Sequence, residues 1–308
     1  MVGATSRRVF VTGGAGFIGS HLVERLLESG DRVLVFDDLS FGKRDLLPSH
    51  ERLEFVKGDV TRRDRLTGAL LDFQPDTVIH LAAIHFIPYA NDHPLDTVRV
   101  NIEGTRNLLD GCRKVKPEFV FFPSSAAVYP ITDKACGEAI PPAPTDIYGI
   151  TKVVGEDLMR LFALDTGIRT VVGRFFNVYG PHETNPHVIP EIVRQLNTGT
   201  RRLVLGSLEP KRDFVHVKDV VEAILRMIRI YPGAFDVFNV GSACEHSVAD
   251  IIRMCEEILE VKLDIDQDTR RFRAQERLHL LADISKIESR LAWRPATEPL
   301  DGLRELLR

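Results

Sequence analysis

Few residues in this chain are placed to bind a metal ion or to form disulfide bonds. The 308-residue sequence has four scattered cysteines, at 112, 136, 244 and 255, without CxxC or other metal-ligand spacing. Its ten histidines show no clustered metal-binding pattern. We therefore expect reduced thiols, a cytoplasmic location and no metal site.

Long apolar runs and an excess of positive charge are also lacking. No unbroken apolar stretch is long enough to cross a bilayer. The formal net charge is −4, and no Lys- or Arg-rich run stands out. With 44% hydrophobic residues, the composition is that of an ordinary globular protein. We expect neither a membrane protein nor a nucleic-acid partner.

Short β-rich runs alternate with helical segments through the first half of the chain. The spacing predicts helices at 20–28, 101–114 and 148–166, and strands at 8–12, 32–36, 53–56, 77–81, 119–122 and 170–172. Nearly continuous apolar content in the strands indicates a buried parallel sheet with right-handed crossovers. The predicted fold class is α/β, with a Rossmann-like doubly wound parallel sheet.

After Arg174 the alternation is lost, and proline and loop content rise. A helix over 214–230 and a strand over 235–240 are expected to return to the sheet. The tail, with helices at 247–260 and 282–293, reads as a small helical lobe. We therefore predict an NAD-binding domain over 1–174, rejoined by 214–243, and a smaller substrate-binding lobe over most of 175–308.

A glycine-rich loop follows the first predicted strand. Gly13, Gly16 and Gly19 stand between that strand and a helix, which is the setting that a dinucleotide-binding fingerprint requires. Gly16 would let the backbone approach a pyrophosphate, and Gly19 would let the helix pack on the strand. The loop predicts a dinucleotide bound at a helix N-terminus.

Asp37, at the end of the second predicted strand, indicates whether the dinucleotide is NAD or NADP, which carries an additional 2′-phosphate. Its carboxylate can accept hydrogen bonds from both ribose hydroxyls but would repel a 2′-phosphate. Lys43 and Arg44 follow closely and could in principle serve a phosphate, but we interpret them as part of a solvated loop. The expected cofactor is NAD.

Ser125, Tyr148 and Lys152 form the candidate catalytic group. Tyr148 and Lys152 stand four residues apart on a predicted helix, so their side chains share one face. A free tyrosine has a pKa near ~10, and a neighbouring ammonium with a positive nicotinamide would lower that pKa. Ser125 follows a predicted strand and could hydrogen-bond the same substrate oxygen. Such a group can take the proton of an alcohol whose carbon loses a hydride.

Further motifs make the chain resemble the extended short-chain dehydrogenase/reductases, the family of NAD-dependent nucleotide-sugar epimerases and dehydratases. They run through almost the whole length: Asp59-Val60, His80-Leu-Ala-Ala83, Asn101 with Gly104-Thr105, Ser124-Ser125, Arg174-Phe-Phe-Asn177 with Tyr179-Gly-Pro181, Arg212-Asp213 and Ala282-Asp283.

This resemblance implies two sets of binding residues. For the cofactor, together with the fingerprint, it implies Gly13, Gly16, Phe17, Ile18, Gly19, Asp37, Asp38, Asp59, Val60, Leu81, Ala82, Ala83, Asn101, Tyr148, Lys152 and Phe175. For a nucleoside-diphosphate sugar, with UDP favoured, it implies Ser125, Asn177, His187, Val188, Leu203, Leu205, Arg212, Arg273 and Glu276.

The branch of the family is indicated by what is missing. Family dehydratases resemble Thr-Asp-Glu-Val-Tyr at the strand end, where the two acids eliminate water. Here the run is Ser125-Ala-Ala-Val-Tyr129, with two alanines in place of those acids and without the glutamate that family decarboxylases usually carry. What remains resembles a 4-epimerase of the UDP-galactose type. An NAD(P)H-dependent reductase of a 4-keto nucleotide sugar stays open as an alternative, and so does a non-catalytic NAD-binding protein.

A homodimer is expected as well. The predicted helices at 101–114 and 148–166 carry more apolar surface than one sheet face can cover, and related enzymes pair these helices in a four-helix bundle.

Overall fold

The computed structural model describes residues 6–271 and 277–308. Its strands, in chain order, are β1 (Arg8–Thr12), β2 (Arg32–Asp37), β3 (Leu53–Lys57), β4 (Thr77–His80), β5 (Phe119–Ser125), β6 (Arg169–Phe175), β7 (Asn177–Tyr179), β8 (Arg202–Leu205), β9 (Lys211–His216), β10 (Phe235–Val240), β11 (Glu245–Ser247) and β12 (Asp264–Gln267).

The helices are α1 (Phe17–Glu28), α2 (Arg63–Phe73), α3 (Ile87–Asp92), α4 (Pro94–Val98), α5 (Gly104–Val115), α6 (Ile147–Thr166), α7 (Val188–Leu196), α8 (Val217–Ile230), α9 (Val248–Leu259), α10 (Ser285–Leu291) and α11 (Pro299–Leu306). A π-helical turn, Arg99–Glu103, joins α4 to α5. Within the described ranges, no helix is both long and apolar enough to span a bilayer.

Seven strands form one sheet in the order β10-β6-β5-β4-β1-β2-β3. β1 pairs in parallel with both β2 and β4, β2 with β3, and β4 with β5. The chain therefore runs outward from β1 on one side and from β4 on the other, which places a topological switch point between these two strands. The predicted Rossmann-like, doubly wound α/β fold is confirmed.

The chain forms two compact units. The first contains the residues up to Pro130, with Pro142–Arg174 and Ile224–Phe238. The second contains Ile131–Pro141, Phe175–Ala223 and the chain from Asn239 onward. The assignment of cofactor binding to residues 1–174 and of substrate binding to most of 175–308 stays a prediction.

Aromatic and aliphatic side chains on both faces of the strands build the core of the first unit. Phe10 and Phe36, on the neighbouring strands β1 and β2, are fully buried with ring centroids 6.0 Å apart. Leu70 of α2 packs so closely against α5 that a Cβ added at Gly111 would lie 2.5 Å from its Cδ1. Burial on both faces explains why these strands read as apolar runs without alternation.

The second unit is less helical than its sequence predicted. It contains a three-stranded sheet, β11-β9-β7, and the strand pair β12-β8, besides its helices. The predicted helix over 214–230 begins only at Val217, because residues 214–216 pair in parallel with 177–179. This short apolar run is compatible with either structure, and pairing with a strand distant in sequence decides it.

Alanine substitutions at two helical glycines, one in α6 and a control in α2, test how tightly α6 packs on β5. A Cβ added at Gly155 would lie 2.3 Å from Phe122 Cζ, whereas one added at Gly68 in α2 meets no atom within 4 Å. Gly155→Ala should therefore destabilise the protein by about 1–3 kcal/mol through overpacking. Gly68→Ala should stabilise it by about 0.5–1 kcal/mol, because alanine is the better helix former. Urea unfolding measures both free energies, and equal effects would contradict the packing described.

Candidate active site

The glycine loop joins β1 to α1 with no room for side chains at two of its positions. Gly13 has φ +70°, and a Cβ there would lie 2.5 Å from the Ala82 nitrogen. A Cβ at Gly19 would lie 2.3 Å from the Gly13 oxygen. The loop can therefore take this shape only with glycine at both places.

The first turn of α1 offers a site that fits a dinucleotide pyrophosphate. Gly16 is the N-cap residue, and no side chain caps the helix. The nearest atom to a Cβ added at Gly16 is the Gly13 oxygen, at 3.3 Å, so a ligand can approach the backbone more closely here than at Gly13 or Gly19. Phe17 and Ile18 follow in the first turn, where backbone N–H groups and the helix dipole favour an anion. NAD therefore fits this loop.

Asp37 ties the end of β2 to the glycine loop. Its Oδ2 accepts the Ala15 N–H at 3.0 Å and its Oδ1 accepts the Leu39 N–H at 2.8 Å. Burial raises the pKa of this carboxyl, and the two hydrogen bonds oppose the rise. Asp38 is exposed and accepts the Ser40 N–H at 2.8 Å. Both carboxylates thus lie at the carboxyl edge of the sheet, beside the loop that fits a dinucleotide.

The segment after β2 packs onto the glycine loop. The Lys43 N–H donates to the Ala15 oxygen at 2.9 Å. The Arg44 guanidinium lies 5.1 Å from the centroid of the Phe55 ring. Arg44 is therefore engaged in a cation–π contact, which disfavours a role in binding a 2′-phosphate.

The other expected cofactor residues in this unit follow β3 and β4. Asp59 accepts both the N–H and the hydroxyl of Thr61 at 2.8 Å, and buried Val60 packs against Gly104. The Leu81 N–H donates to the Thr12 oxygen at 2.9 Å, and Ala82 and Ala83 continue the chain from there.

Asn101 lies buried in the π-helical turn. Its Oδ1 accepts the Ile84 N–H at 2.8 Å, and its Nδ2 donates to the Ile84 oxygen at 2.9 Å and to Thr151 Oγ1 at 3.0 Å. Its amide thus joins the loop after β4 to α6.

Ser125, Tyr148 and Lys152 come together in the first unit. Ser125 is the last residue of β5; its Oγ accepts the Ala127 N–H at 3.1 Å, and its side chain is near enough to the Tyr148 hydroxyl to lower the pKa of Tyr148. Lys152 Nζ donates to the Pro123 oxygen at 2.7 Å and lies 5.6 Å from the centroid of the Tyr148 ring. Asp146 caps α6 by accepting the Gly149 N–H at 2.7 Å, which fixes where the helix begins.

Burial dominates the electrostatics of this group. It raises the pKa of Tyr148, and the nearby Ser125 side chain only partly opposes the rise. It also lowers the pKa of Lys152 to about 7, against the attraction of Glu156. The sequence predicted a lowered pKa for Tyr148, and for the protein chain alone that direction is wrong, because the hydroxyl is shielded from water.

A buried histidine network lies next to this group and was missed in the sequence. His80 Nδ1 lies 2.7 Å from Thr12 Oγ1, and His80 Nε2 lies 3.0 Å from Thr105 Oγ1. Burial, with a smaller contribution from Lys152, lowers the pKa of His80 to about 3, so the ring is neutral at pH 7. The only sequence signal is an isolated histidine at a strand end.

Apart from Ser125, the expected substrate residues that the structure describes lie in the second unit. Half-buried Asn177 opens β7, half-buried His187 is the N-cap of α7, and Val188 begins that helix. Phe175, expected on the cofactor side, is the buried last residue of β6.

The remaining expected residues of that unit differ in their surroundings. Leu203 and Leu205 lie on the same face of β8 and pack in the core of the unit. The Arg212 guanidinium donates to the Lys211 oxygen at 2.8 Å and to the Arg277 oxygen at 2.7 Å. Arg273 and Glu276 lie outside the described residues.

Known proteins match the chain over nearly its whole length. A model of the NAD dependent epimerase/dehydratase family matches residues 9–241. UDP-glucose 4-epimerase of Azospirillum brasilense is 30% identical over 320 residues, covering 97% of this chain and 90% of the relative. GDP-6-deoxy-D-mannose reductase of Pseudomonas aeruginosa is 29% identical over 311 residues, covering 98% of this chain and 96% of the relative.

Solved structures agree in fold. UDP-glucose 4-epimerase of Thermus thermophilus, in complex with NAD, has a TM-score of 0.89 and 29% identity, with 97% of each chain covered. UDP-N-acetylglucosamine 4-epimerase from Methanobrevibacter ruminantium, in complex with UDP-N-acetylmuramic acid, has a TM-score of 0.91 and 30% identity, covering 99% of this chain and 98% of that one. Because the family match extends from β1 through β10, the chain belongs to the NAD-dependent epimerase/dehydratase family, the extended short-chain dehydrogenase/reductases.

Proposed function

We propose that this protein interconverts the C4 epimers of a nucleoside-diphosphate sugar, with a UDP-sugar favoured, through a transient 4-keto sugar. The observation that carries the proposal is the proximity of Ser125, Tyr148 and Lys152, in the same compact unit as a glycine loop that fits a dinucleotide. The 4-epimerase relatives and structural neighbours support the same reaction.

Each catalytic side chain has a chemical task in this proposal. NAD held by the glycine loop would supply the acceptor and donor for the hydride at C4 of the sugar. Tyr148 accepts the proton of the sugar O4 hydroxyl and later gives it back. The Lys152 ammonium favours the phenolate form of Tyr148 against the desolvation that raises its pKa. Ser125, whose side chain lies near Tyr148, orients the substrate hydroxyl.

The proposal extends to the remaining expected site residues. We assign Asp37, Asp38, Asp59 and Val60 to the adenosine end of the cofactor. We assign the nucleoside diphosphate to the second unit, with Asn177, Val188 and Arg212 as its principal contacts. A guanidinium suits this role because it binds phosphate oxygens with two parallel hydrogen bonds.

The end of β5 favours epimerisation over dehydration. Elimination of water needs an acid and a base beside the keto sugar. Ala126, which is buried, and Ala127, which is half-buried, follow Ser125. Methyl groups transfer no protons, so we propose a reaction that leaves the sugar hydroxyls in place.

A reductase of a 4-keto nucleotide sugar is the second candidate, favoured by the match to GDP-6-deoxy-D-mannose reductase. It would use the same side chains but exchange its cofactor at every turnover. Cofactor that stays bound through purification supports the epimerase, whereas cofactor that washes out supports the reductase. The intact catalytic group disfavours a non-catalytic NAD-binding role.

A substrate panel tests the proposed reaction directly. The purified protein is incubated with UDP-, dTDP-, GDP- and CDP-hexoses without added reductant, and products are identified by NMR. We expect C4 epimers, with a UDP-hexose turned over best. Turnover only of 4-keto sugars, and only with added NAD(P)H, would replace the epimerase with the reductase.

Within that assay, Tyr148→Phe should lower kcat by at least about 100-fold, the usual contribution of a general base. Cofactor affinity should change little, because the glycine loop is untouched. Tyr231→Phe is the matched control, since it removes a hydroxyl that donates to the Phe235 oxygen elsewhere in the same unit. A Tyr148→Phe variant with more than about a tenth of the wild-type rate would remove Tyr148 from the role of principal base.

Asp37→Arg should shift the cofactor preference from NAD toward NADP, because a cation would meet the 2′-phosphate. The thermal midpoint should fall as well, since the Ala15 and Leu39 N–H groups lose their acceptor. Asp45→Arg, at an exposed position in the same connection, is the control. Titrations with both dinucleotides measure the preference, and unchanged affinities would contradict the assignment of Asp37.

We further propose a homodimer formed through α5 and α6. Leu161 and Leu164 of α6 are 49% and 71% exposed, more than large apolar side chains usually are in a monomer. Leu161→Lys with Leu164→Lys should therefore yield a monomer by light scattering at micromolar concentration. Ile230→Lys, at a 52% exposed position ending α8, should leave the mass unchanged. A wild-type monomer would contradict this proposal.

We also propose that the protein is located in the cytoplasm. The four cysteines are free thiols, and all but Cys244 are buried. Burial raises the pKa of Cys112 to about 12 and that of Cys255 to about 11, so neither forms a reactive thiolate at neutral pH. Free thiols suit a reducing compartment.

A further inference from the structure

Helix α6 carries a buried carboxylate one turn beyond Lys152. Glu156 is 8% exposed and forms a two-point ion pair with Arg174 of β6, which is 4% exposed. Arg174 Nε donates to Glu156 Oε1 at 2.9 Å, and Arg174 Nη2 donates to Oε2 at 2.7 Å. A buried ion pair is costly to desolvate. Its position beside the catalytic group therefore indicates that the pair serves a function there.

Glu156 also belongs to a row of contacts between α6 and the end of β5. Tyr148, Lys152 and Glu156 stand at i, i+4 and i+8, on one side of the helix. The residues that they face are three consecutive residues of β5. Lys152 Nζ donates to the Pro123 oxygen at 2.7 Å, Ser124 Oγ donates to Glu156 Oε1 at 2.5 Å, and the Ser125 side chain is near enough to Tyr148 to lower its pKa. The position of Tyr148 against Ser125 is therefore linked to the anchoring of Glu156.

The carboxylate acts on Lys152 through charge as well. Burial holds the pKa of Lys152 at about 7, and the attraction of Glu156 is the influence that opposes this lowering. The Glu156 carboxylate thus attracts two cations, the Arg174 guanidinium and the Lys152 ammonium. Loss of the Glu156 charge would leave the Lys152 ammonium buried without a counter-charge.

The other titratable groups facing Lys152 do not supply this charge. Burial lowers the pKa of His80, at the end of β4, to about 3, and desolvation lowers that of half-buried His85, in the loop that follows, to about 4. Both rings are therefore neutral above pH 5. On α6 itself, burial raises the pKa of Tyr148, which is protonated in the resting protein.

We propose that Glu156, held by Arg174 and Ser124, is a positioning residue that keeps Lys152 charged and fixes α6 against the end of β5. Glu156 acts on the reaction through Lys152 and Tyr148. The inference rests on the function proposed above for those two residues, since a charged Lys152 matters only if Tyr148 must become a phenolate.

The test follows the protonation of Lys152 directly, in holoenzyme labelled with ¹³C at lysine Cε. The Lys152 resonance is assigned by its absence in Lys152→Arg. Its chemical shift is followed by NMR between pH 5.5 and 9.5, which gives the midpoint of the Lys152 titration. Glu156→Gln should lower the midpoint by about one pH unit or more, since an opposite charge at this range shifts a pKa by that amount. The alkaline limb of kcat for the epimerised sugar should move by the same amount, while KM changes little.

Two variants separate charge from packing. Asp157→Asn removes an exposed carboxylate of the same helix, 3.2 Å from Arg160, and should leave the midpoint unchanged. Ser124→Ala keeps the Glu156 charge and removes one anchor, so it should lower kcat several-fold without moving the midpoint. If Glu156→Gln does not fold, Glu156→Gln with Arg174→Gln also removes the arginine charge that the single change leaves unpaired, and it should shift the Lys152 midpoint in the same direction.

A Lys152 midpoint that stays at its wild-type value without the Glu156 carboxylate would overturn the inference. The NMR titration does not depend on turnover. If the midpoint moves but no sugar of the panel is epimerised, the electrostatic role of Glu156 stands and the proposed reaction fails.

Discussion

The contacts between helix α6 and the last three residues of β5 are the constraint on which the candidate site depends. Tyr148, Lys152 and Glu156 reach Ser125, Pro123 and Ser124 in turn, so a slip of the helix by one residue would break all three contacts. Gly155 lets the helix come this close, because any side chain there would collide with Phe122. Helix position and catalytic geometry are therefore set together.

This arrangement concentrates charge where water is scarce. A lysine, a glutamate and an arginine are all buried within one layer between the sheet and α6. The low local polarity lowers the pKa of Lys152 and raises that of Tyr148, so that neither group holds its charge easily without a partner. A bound substrate and a positive nicotinamide would then determine whether Tyr148 or the substrate hydroxyl holds the proton.

The sheet topology explains why the cofactor loop and the catalytic group share one edge. The loop after β1, Asp37 at the end of β2 and Ser125 at the end of β5 all follow the carboxyl ends of strands that pair in parallel. His80 joins the first of these regions to α5 through two buried threonine hydroxyls. Polar groups buried in this way must have hydrogen-bond partners, and these hydrogen bonds hold the residues at this edge of the sheet in place.

The sequence predicted the parts of this site that depend on local pattern. The glycine loop, the alternation of strands and helices, and the face shared by Tyr148 and Lys152 follow from spacing along a few residues. Features that depend on distant partners could not be read in this way. Residues 214–216 look helical until they pair with β7, and Glu156 looks like a surface residue until Arg174 is placed beside it. Spacing also does not show how deeply the Tyr148 hydroxyl is buried, so the raised pKa of Tyr148 in the protein chain alone could not be predicted.

The central claim is that hydride leaves and returns to the same sugar carbon while Tyr148 exchanges the proton. The measurement that tests it most directly is epimerisation of a UDP-hexose deuterated at C4, followed by NMR without added reductant. The account predicts that the product keeps the deuterium at C4, because the hydride never mixes with solvent. Loss of the label to water, or turnover only when NADH is supplied, would contradict it.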